Sequence, residues 1–227
     1  MLPPVFALVF AVSALFTTDA VAEEWSGHVE GGTVASDAGN RSRLRLTLTN
    51  DSRPFTQQVY AEWLRGGSDD GNAYAVGYLP RYWFRERYYL FGEGRLRVDD
   101  GLDIDRDIFL LGGVGGQFFQ SERQGVVLES GLGAQLLDRG GEEDEEITPL
   151  GILRLGYNRL LSDMFRFDLD MSAVRSEELS ELSAEAGLSM RIPTGAIRIS
   201  YRSRSTRFGN NDRVSNDDTF VSFTYGF

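Results

Sequence analysis

Asp218-Thr219-Phe220-Val221-Ser222-Phe223-Thr224-Tyr225-Gly226-Phe227, the last ten residues, alternate in character. Thr219, Val221, Phe223, Tyr225 and Phe227 fall on one face; Asp218, Ser222, Thr224 and Gly226 fall on the other. A period of two is that of a β-strand. An aromatic-rich face backed by a polar one suits a sheet with lipid on one side and a polar lumen on the other. The stretch therefore predicts a strand of a transmembrane barrel.

The same strand, with Val221, Phe223 and Tyr225 leading to the terminal Phe227, resembles the C-terminal signal by which Gram-negative outer-membrane proteins are recognised for insertion. The localisation that this implies is the outer membrane. The partners implied are the barrel-assembly machinery and outer-membrane lipid with lipopolysaccharide.

The other end of the chain carries the matching export feature. Residues 5–16, VFALVFAVSALF, form an apolar run followed by Ala20-Val21-Ala22. The small side chains of Ala20 and Ala22 fit a signal-peptidase site, which predicts a signal peptide at 1–22 and a barrel domain at 23–227. The run is shorter than the roughly 20 apolar residues that a membrane-spanning helix needs. No other stretch is long and apolar enough to cross as a helix, so patterning has to decide the class. A barrel with alternating faces averages to a mild hydropathy, and the mean hydropathy is −0.26.

Cysteine is absent, so no disulfide framework holds the chain. The net charge of −11 argues against a nucleic-acid partner, which calls for basic patches. Every cationic residue is Arg and none is Lys. Arg suits a lumen because its planar fork pairs bidentately with carboxylates.

Segments of about ten residues with dyad alternation, separated by turn residues, are the barrel signature. The clearest are Arg43-Leu44-Arg45-Leu46-Thr47-Leu48-Thr49 and Phe165-Arg166-Phe167-Asp168-Leu169-Asp170-Met171-Ser172. As soluble-core strands both would be poor, since Arg43 with Arg45, or Asp168 with Asp170, would share one buried face. Further strands are predicted at 25–35, 57–64, 73–83, 90–98, 108–118, 126–137, 150–159, 182–191 and 196–202. With the terminal strand this gives an all-β, antiparallel up-and-down barrel of about twelve strands, an even number as bacterial single-chain barrels have. Glycines in Gly112-Gly113-Val114-Gly115-Gly116 leave the register of that strand open.

Predicted connections fall into a short set (51–54, 84–87, 120–123, 162–163, 193–195) and a long set (66–72, 99–105, 139–146, 203–216). Short turns are periplasmic and longer loops external in such barrels, which predicts both termini in the periplasm. Trp25, Tyr82, Trp83, Tyr88 and Tyr89 cluster at strand ends, where an interfacial aromatic girdle belongs.

Trp25-Ser26-Gly27, Tyr89-Leu90-Phe91-Gly92, the glycine-rich 111–116, Leu128-Glu129-Ser130-Gly131-Leu132-Gly133, Arg154-Leu155-Gly156-Tyr157 with Leu161-Ser162-Asp163, and Ile199-Ser200-Tyr201-Arg202 follow one another in a family-like order. In these motifs the chain resembles the YdiY-like salt-induced outer-membrane proteins, a domain-of-unknown-function family. It departs at Gly39-Asn40-Arg41, where the family often has Gly-Asn-Thr. The resemblance implies an outer-membrane barrel without an assigned activity and brings no catalytic residues.

The residues themselves offer three constellations. His28 is the single histidine, with Ser26 on its face, but nucleophilic catalysis needs a serine, a base and an orienting group together. A lipid hydrolase is therefore the weakest reading and no enzyme is expected. The acidic run Glu142-Glu143-Asp144-Glu145-Glu146 and the alternating Asp103, Asp105 and Asp107 are expected in outer loops. Carboxylates there suit Ca²⁺ or Mg²⁺ bridging to lipid phosphates, but solvated loops are the plainer reading; no metal or cofactor is expected.

The third constellation is the inward face, predicted to hold Arg43, Arg45, Arg95, Arg97, Arg154, Arg198 and Arg202 with Glu62, Glu93, Glu129, Asp168, Asp170 and Glu185. Both signs share one lumen. A porin-like pore would use them as a transverse field over water. A narrow or plugged lumen would pair them and give a structural, envelope-stress (salt-related) role. A monomer with a narrow or plugged lumen is the leading expectation, and a porin-like small-solute or ion channel the alternative.

Overall fold

The computed structural model describes residues 25–36, 39–66, 71–139, 147–209 and 213–226. The expected leader with Ala20 and Ala22, the acidic run at 140–146 and Phe227 lie outside them. Alternating side chains cannot bury an apolar stripe on a helix, so the chain forms strands: β1 (Trp25–Ser36), β2 (Gly39–Asn50), β3 (Phe55–Arg65), β4 (Asn72–Trp83), β5 (Tyr88–Asp99), β6 (Ile104–Phe118), β7 (Gln124–Arg139), β8 (Ile147–Leu160), β9 (Phe165–Arg175), β10 (Leu179–Ile192), β11 (Gly195–Phe208) and β12 (Arg213–Gly226). Every strand runs antiparallel to both neighbours, and the sheet closes on itself where β1 pairs β12 from His28↔Gly226 to Ser36↔Asp218. Closure leaves no edge with unpaired backbone groups, which lipid does not tolerate. Both chain ends of the barrel lie at one rim, here called the terminal rim; the opposite one is the loop rim.

The outward face is apolar. Leu110, Leu132, Leu153, Leu182, Ile199, Val221, Phe223 and Tyr225 are all exposed on it. Alternation also corrects the aromatic girdle. Neighbouring residues of a strand face opposite ways, so Tyr82 and Tyr88 point outward while Trp83 and Tyr89 turn inward and pack at 4.5 Å between ring centroids.

The glycine-rich strand has one register. Gly113 and Gly115 face inward, opposite Phe91 and Tyr89, and Gly112 and Gly116 face outward. A Cβ on Gly115 would lie 2.4 Å from the Tyr89 ring, and one on Gly77 would lie 2.3 Å from the ring of its partner Tyr60. Each glycine is thus the floor on which a cross-strand aromatic lies flat.

Two predicted loops are different in the structure. The expected loop at 203–216 is largely strand: β11 continues to Phe208, β12 starts at Arg213, and Ser203↔Asp217 through Arg207↔Arg213 are paired. Polar residues on both faces hide the strand from a hydrophobicity pattern, but they do not weaken its backbone ladder. The expected loop at 99–105 shrinks to the 3-10 turn Asp100–Leu102 plus Asp103. A bulge between Ile104 and Arg106 then shifts the register, which brings Ile104 and Asp107 inward and leaves Asp105 exposed. Asp107 is therefore a buried wall residue and not a loop carboxylate. The length contrast between the rims is also weak, since 100–103 and 176–178 are as tight as 51–54 and 161–164.

Candidate functional site: the charged lumen

Period-two geometry puts Arg43 and Arg45 of β2, Glu62 of β3, Glu93, Arg95 and Arg97 of β5, Glu129 of β7, Arg154 of β8, Asp168 and Asp170 of β9, Glu185 of β10, and Arg198 and Arg202 of β11 on the face opposite the apolar band. The structure gathers all of them except Arg45 and Asp170 into three networks; the Arg45 guanidinium instead lies 5.7 Å from the centre of the Tyr60 ring.

The first surrounds Glu129. Its carboxylate accepts from the Tyr89 hydroxyl at 2.8 Å and pairs with Arg81 at 3.1 Å and Arg154 at 3.4 Å. Arg154 reaches on to Glu93. The second network joins β2–β3 to β9–β11 across the inner faces of β1 and β12. Arg43 pairs with Glu62 at 3.2 Å, Arg202 with Glu62 at 3.6 Å and Glu185 at 2.6 Å, and Arg198 with Glu185 and Asp168, each at 3.3 Å. Beneath it lies Phe220, buried, with the guanidinium carbons of Arg43 and Arg202 at 4.7 and 5.1 Å from its ring centre. The sheet's alternation thus turns Phe220 inward, out of the aromatic set of the terminal strand, and uses it as a cation–π platform.

The third network spans the lumen near the loop rim. Arg97 on β5 pairs with Asp107 on β6 at 3.1 Å and with Glu181 on β10 at 2.9 Å. Arg95 also reaches Asp107, at 3.3 Å, and the Gln135 amide donates to its other oxygen at 2.8 Å. Arg204 on β11 lies 3.9 Å from Asp99 on β5. In the order of the closed sheet, β5 and β11 stand opposite each other. Above this layer Leu102, Ile104, Leu137, Leu150, Val174, Leu179 and Phe208 form a buried apolar cluster inside the barrel.

The environment is graded. Arg97 and Glu181 are 7% and 8% exposed, so their pair is nearly dry. Taking each ion from water costs several kcal/mol, which short, multiply bonded geometry has to offset. On β9, by contrast, Arg166 is 54% exposed although it pairs with Asp168 at 2.7 Å, and Asp170 is exposed. Water reaches that side of the lumen.

Arg81, Asp99, Asp107, Glu181, Arg204 and Phe220 belong to these networks beside the residues the sequence pointed to. Glu181 and Arg204 fall just outside the predicted strands 182–191 and 196–202, and Arg81 sits among aromatics. Extending those two strands in register would have reached Glu181 and Arg204, whereas Arg81 already lies inside the predicted strand 73–83.

Ser26 and His28 share the inward face of β1, but the Ser26 hydroxyl donates to the Thr49 carbonyl at 3.4 Å. The acid on that face, Glu30, accepts from the Ser222 hydroxyl at 2.6 Å. Among the described residues no group of three or more His, Cys, Asp or Glu side chains is arranged to hold a metal ion.

Residues 38–227 match the family described as protein of unknown function, DUF481. The chain belongs to that family. No curated protein sequence matches it. Solved structures resemble this DUF481 protein in fold. The NanC porin aligns with TM-score 0.60 at 9% identity, over 88% of this chain and 98% of its own. The KdgM porin in complex with oligogalacturonate aligns with TM-score 0.55 at 9% identity, over 88% and 99%. The outer-membrane channel DcaP of Acinetobacter baumannii aligns with TM-score 0.50 at 10% identity, over 90% and 96%. At such identities the likeness is one of fold: this DUF481 member is a membrane β-barrel of porin-like architecture.

Proposed function

We propose that this barrel sits in the outer membrane of a Gram-negative cell, both termini in the periplasm, as a monomer with a plugged lumen. Its role is structural, in resistance of the envelope to stress such as salt, and not enzymatic. The observation that carries the reading is the pair of bridges Arg97–Glu181 and Asp99–Arg204, which tie β5 to the opposite wall. The apolar cluster above them supports it, because it fills part of the bore with Leu, Ile and Phe side chains that offer ions and sugars no polar partner. Val221, Phe223, Tyr225 and Phe227 are the residues we assign to recognition by the assembly machinery, with lipid and lipopolysaccharide as the remaining partners.

A second reading, a narrow channel for small polar solutes, is favoured by the wet side at Arg166 and Asp170 and by the porin-like fold. The KdgM porin holds an acidic oligosaccharide. Here the lumen arginines of all three networks already face carboxylates, which lowers their attraction for such an anion.

Planar-bilayer conductance of the refolded protein separates the readings. The wild type is expected to stay closed, and the quadruple variant Arg97→Ser, Asp99→Ser, Glu181→Ser, Arg204→Ser to conduct. Steady wild-type conductance sinks the plug and leaves the channel. Orientation is read separately: a protease site inserted after Gly209 should be cut on intact cells.

A further inference from the structure

At the loop rim four outward residues stand directly side by side on successive strands: Arg175 of β9, Ser180 of β10, Arg207 of β11 and Arg213 of β12. All four are exposed. Arg207 and Arg213 are immediate cross-strand partners, a like-charge pairing that disfavours the sheet unless an anion lies between. Arg213 donates from Nε to the Ser205 hydroxyl at 3.1 Å, and among the described residues no carboxylate pairs with Arg175, Arg207 or Arg213. The arginines of the three lumen networks, by contrast, are matched to acids. This row is built differently.

The row climbs out of the lipid. Four residues nearer the terminal rim, Met171 and Ala184 are apolar while their neighbours in the same row, Ser203 and Asp217, are already polar. Strands of such barrels tilt by about 35–45°, so a row perpendicular to them rises obliquely through the interface. Arg175 thus stands at the apolar boundary, with Arg207 and Arg213 progressively farther out.

Below the row, on the same four strands, the apolar wall is indented. A groove of about 240 Å³ is lined by Phe167, Ala186, Leu188, Ile199, Tyr201 and Thr219. It opens because the small Ala186 stands among large neighbours. Six residues separate Ala186 from Ser180, about 20 Å along a strand at 3.3 Å per residue. Tilted, that is about 15 Å of depth, half of a hydrocarbon core of about 30 Å. An acyl chain whose headgroup is at the row ends in the groove.

We propose that β9–β12 form a binding site for one phosphorylated glycolipid of the outer leaflet, lipopolysaccharide. Its phosphates lie on Arg175, Arg207 and Arg213, and one acyl chain lies over Ala186. An oblique row meets phosphates at more than one depth, as a multiply phosphorylated saccharide headgroup presents them. A phospholipid offers a single phosphate plane. The site rests on the reading of the loop rim as the cell-surface rim.

The test is a titration of refolded, lipid-free protein in detergent with fluorescent lipopolysaccharide, compact folding being checked by heat-shifted gel migration. The variant Arg207→Gln/Arg213→Gln is expected to bind at least tenfold more weakly, and Ala186→Leu, which fills the groove, several-fold more weakly. Phosphatase-treated lipopolysaccharide should bind the wild type as weakly as the intact lipid binds the double variant. Arg65→Gln, an exposed arginine at the same rim on β3, should change nothing. Wild-type affinity in the double variant overturns the site. So does equally tight binding of phosphatidylglycerol, an equal loss in Arg65→Gln, or displacement by inorganic phosphate. Binding in detergent is blind to orientation, so a failed titration and a failed protease-site experiment are distinguishable.

Discussion

Arg97 and Glu181 are joined at 2.9 Å although five strand steps round the wall separate β5 from β10. Breaking a nearly dry pair from one side leaves the other charge uncompensated. Arg97→Met strands both Glu181 and part of Asp107 and should cost about 3–5 kcal/mol, whereas Arg97→Met with Glu181→Leu should recover much of that. Urea unfolding in lipid vesicles gives the cycle. Equal losses in the single and double variants would mean that the bridge is wet and weak.

Tyr89 and Gly115 form a fitted pair, the ring lying where a Cβ would be. Gly115→Ala should destabilise by about 1–3 kcal/mol through overpacking. Tyr89→Leu should reduce that penalty, since the ring is then gone, at the cost of its hydroxyl's bond to Glu129. Additive losses in the double variant, measured by the same unfolding, would show that the two do not touch.

The two faces of β9 should respond oppositely to charge. Leu169→Arg puts a cation on the lipid side and should cost about 2–4 kcal/mol. Its neighbour Asp168→Asn should cost no more than about 1 kcal/mol, because Arg166 is half exposed and Arg198 keeps Glu185. Leu169→Arg with wild-type stability would overturn the register of this strand.

Phe223→Asp or Tyr225→Asp should abolish assembly while export continues, since β12 pairs both β11 and β1 and closes the sheet. Deleting Phe227 should do the same through loss of the recognition signal. The readout is heat-modifiable migration of the membrane fraction; a compact, heat-sensitive band from each variant would separate closure from these residues.

Much of the barrel was legible because lipid demands contrast: where Leu44, Leu46 and Leu48 alternate with Arg43, Arg45 and Thr47, period two is visible at once. The interior was less so. In Ile108-Phe109-Leu110-Leu111 both faces are apolar, so alternation carries no signal and nothing betrays that Phe109 and Leu111 pack inside. The bulge after Ile104 hid Asp107 in the same way, by adding a residue to the count. In β11 and β12 beyond Tyr201 both faces are polar and the strands resembled a loop. Partners such as Glu181 and Arg204 depend on which walls face each other across the barrel, a property of closure that no single strand records.

The bridges between β5 and the opposite strands also act as spokes. A bare sheet cylinder resists stretching along its ladders yet flattens easily into an ellipse when the bilayer around it is pulled or squeezed. With Asp99–Arg204 and Arg97–Glu181 spanning the bore, ovalisation along that diameter has to lengthen ion pairs before it bends the wall. On the plugged reading proposed above, lateral tension in the membrane would be met by electrostatics inside the protein.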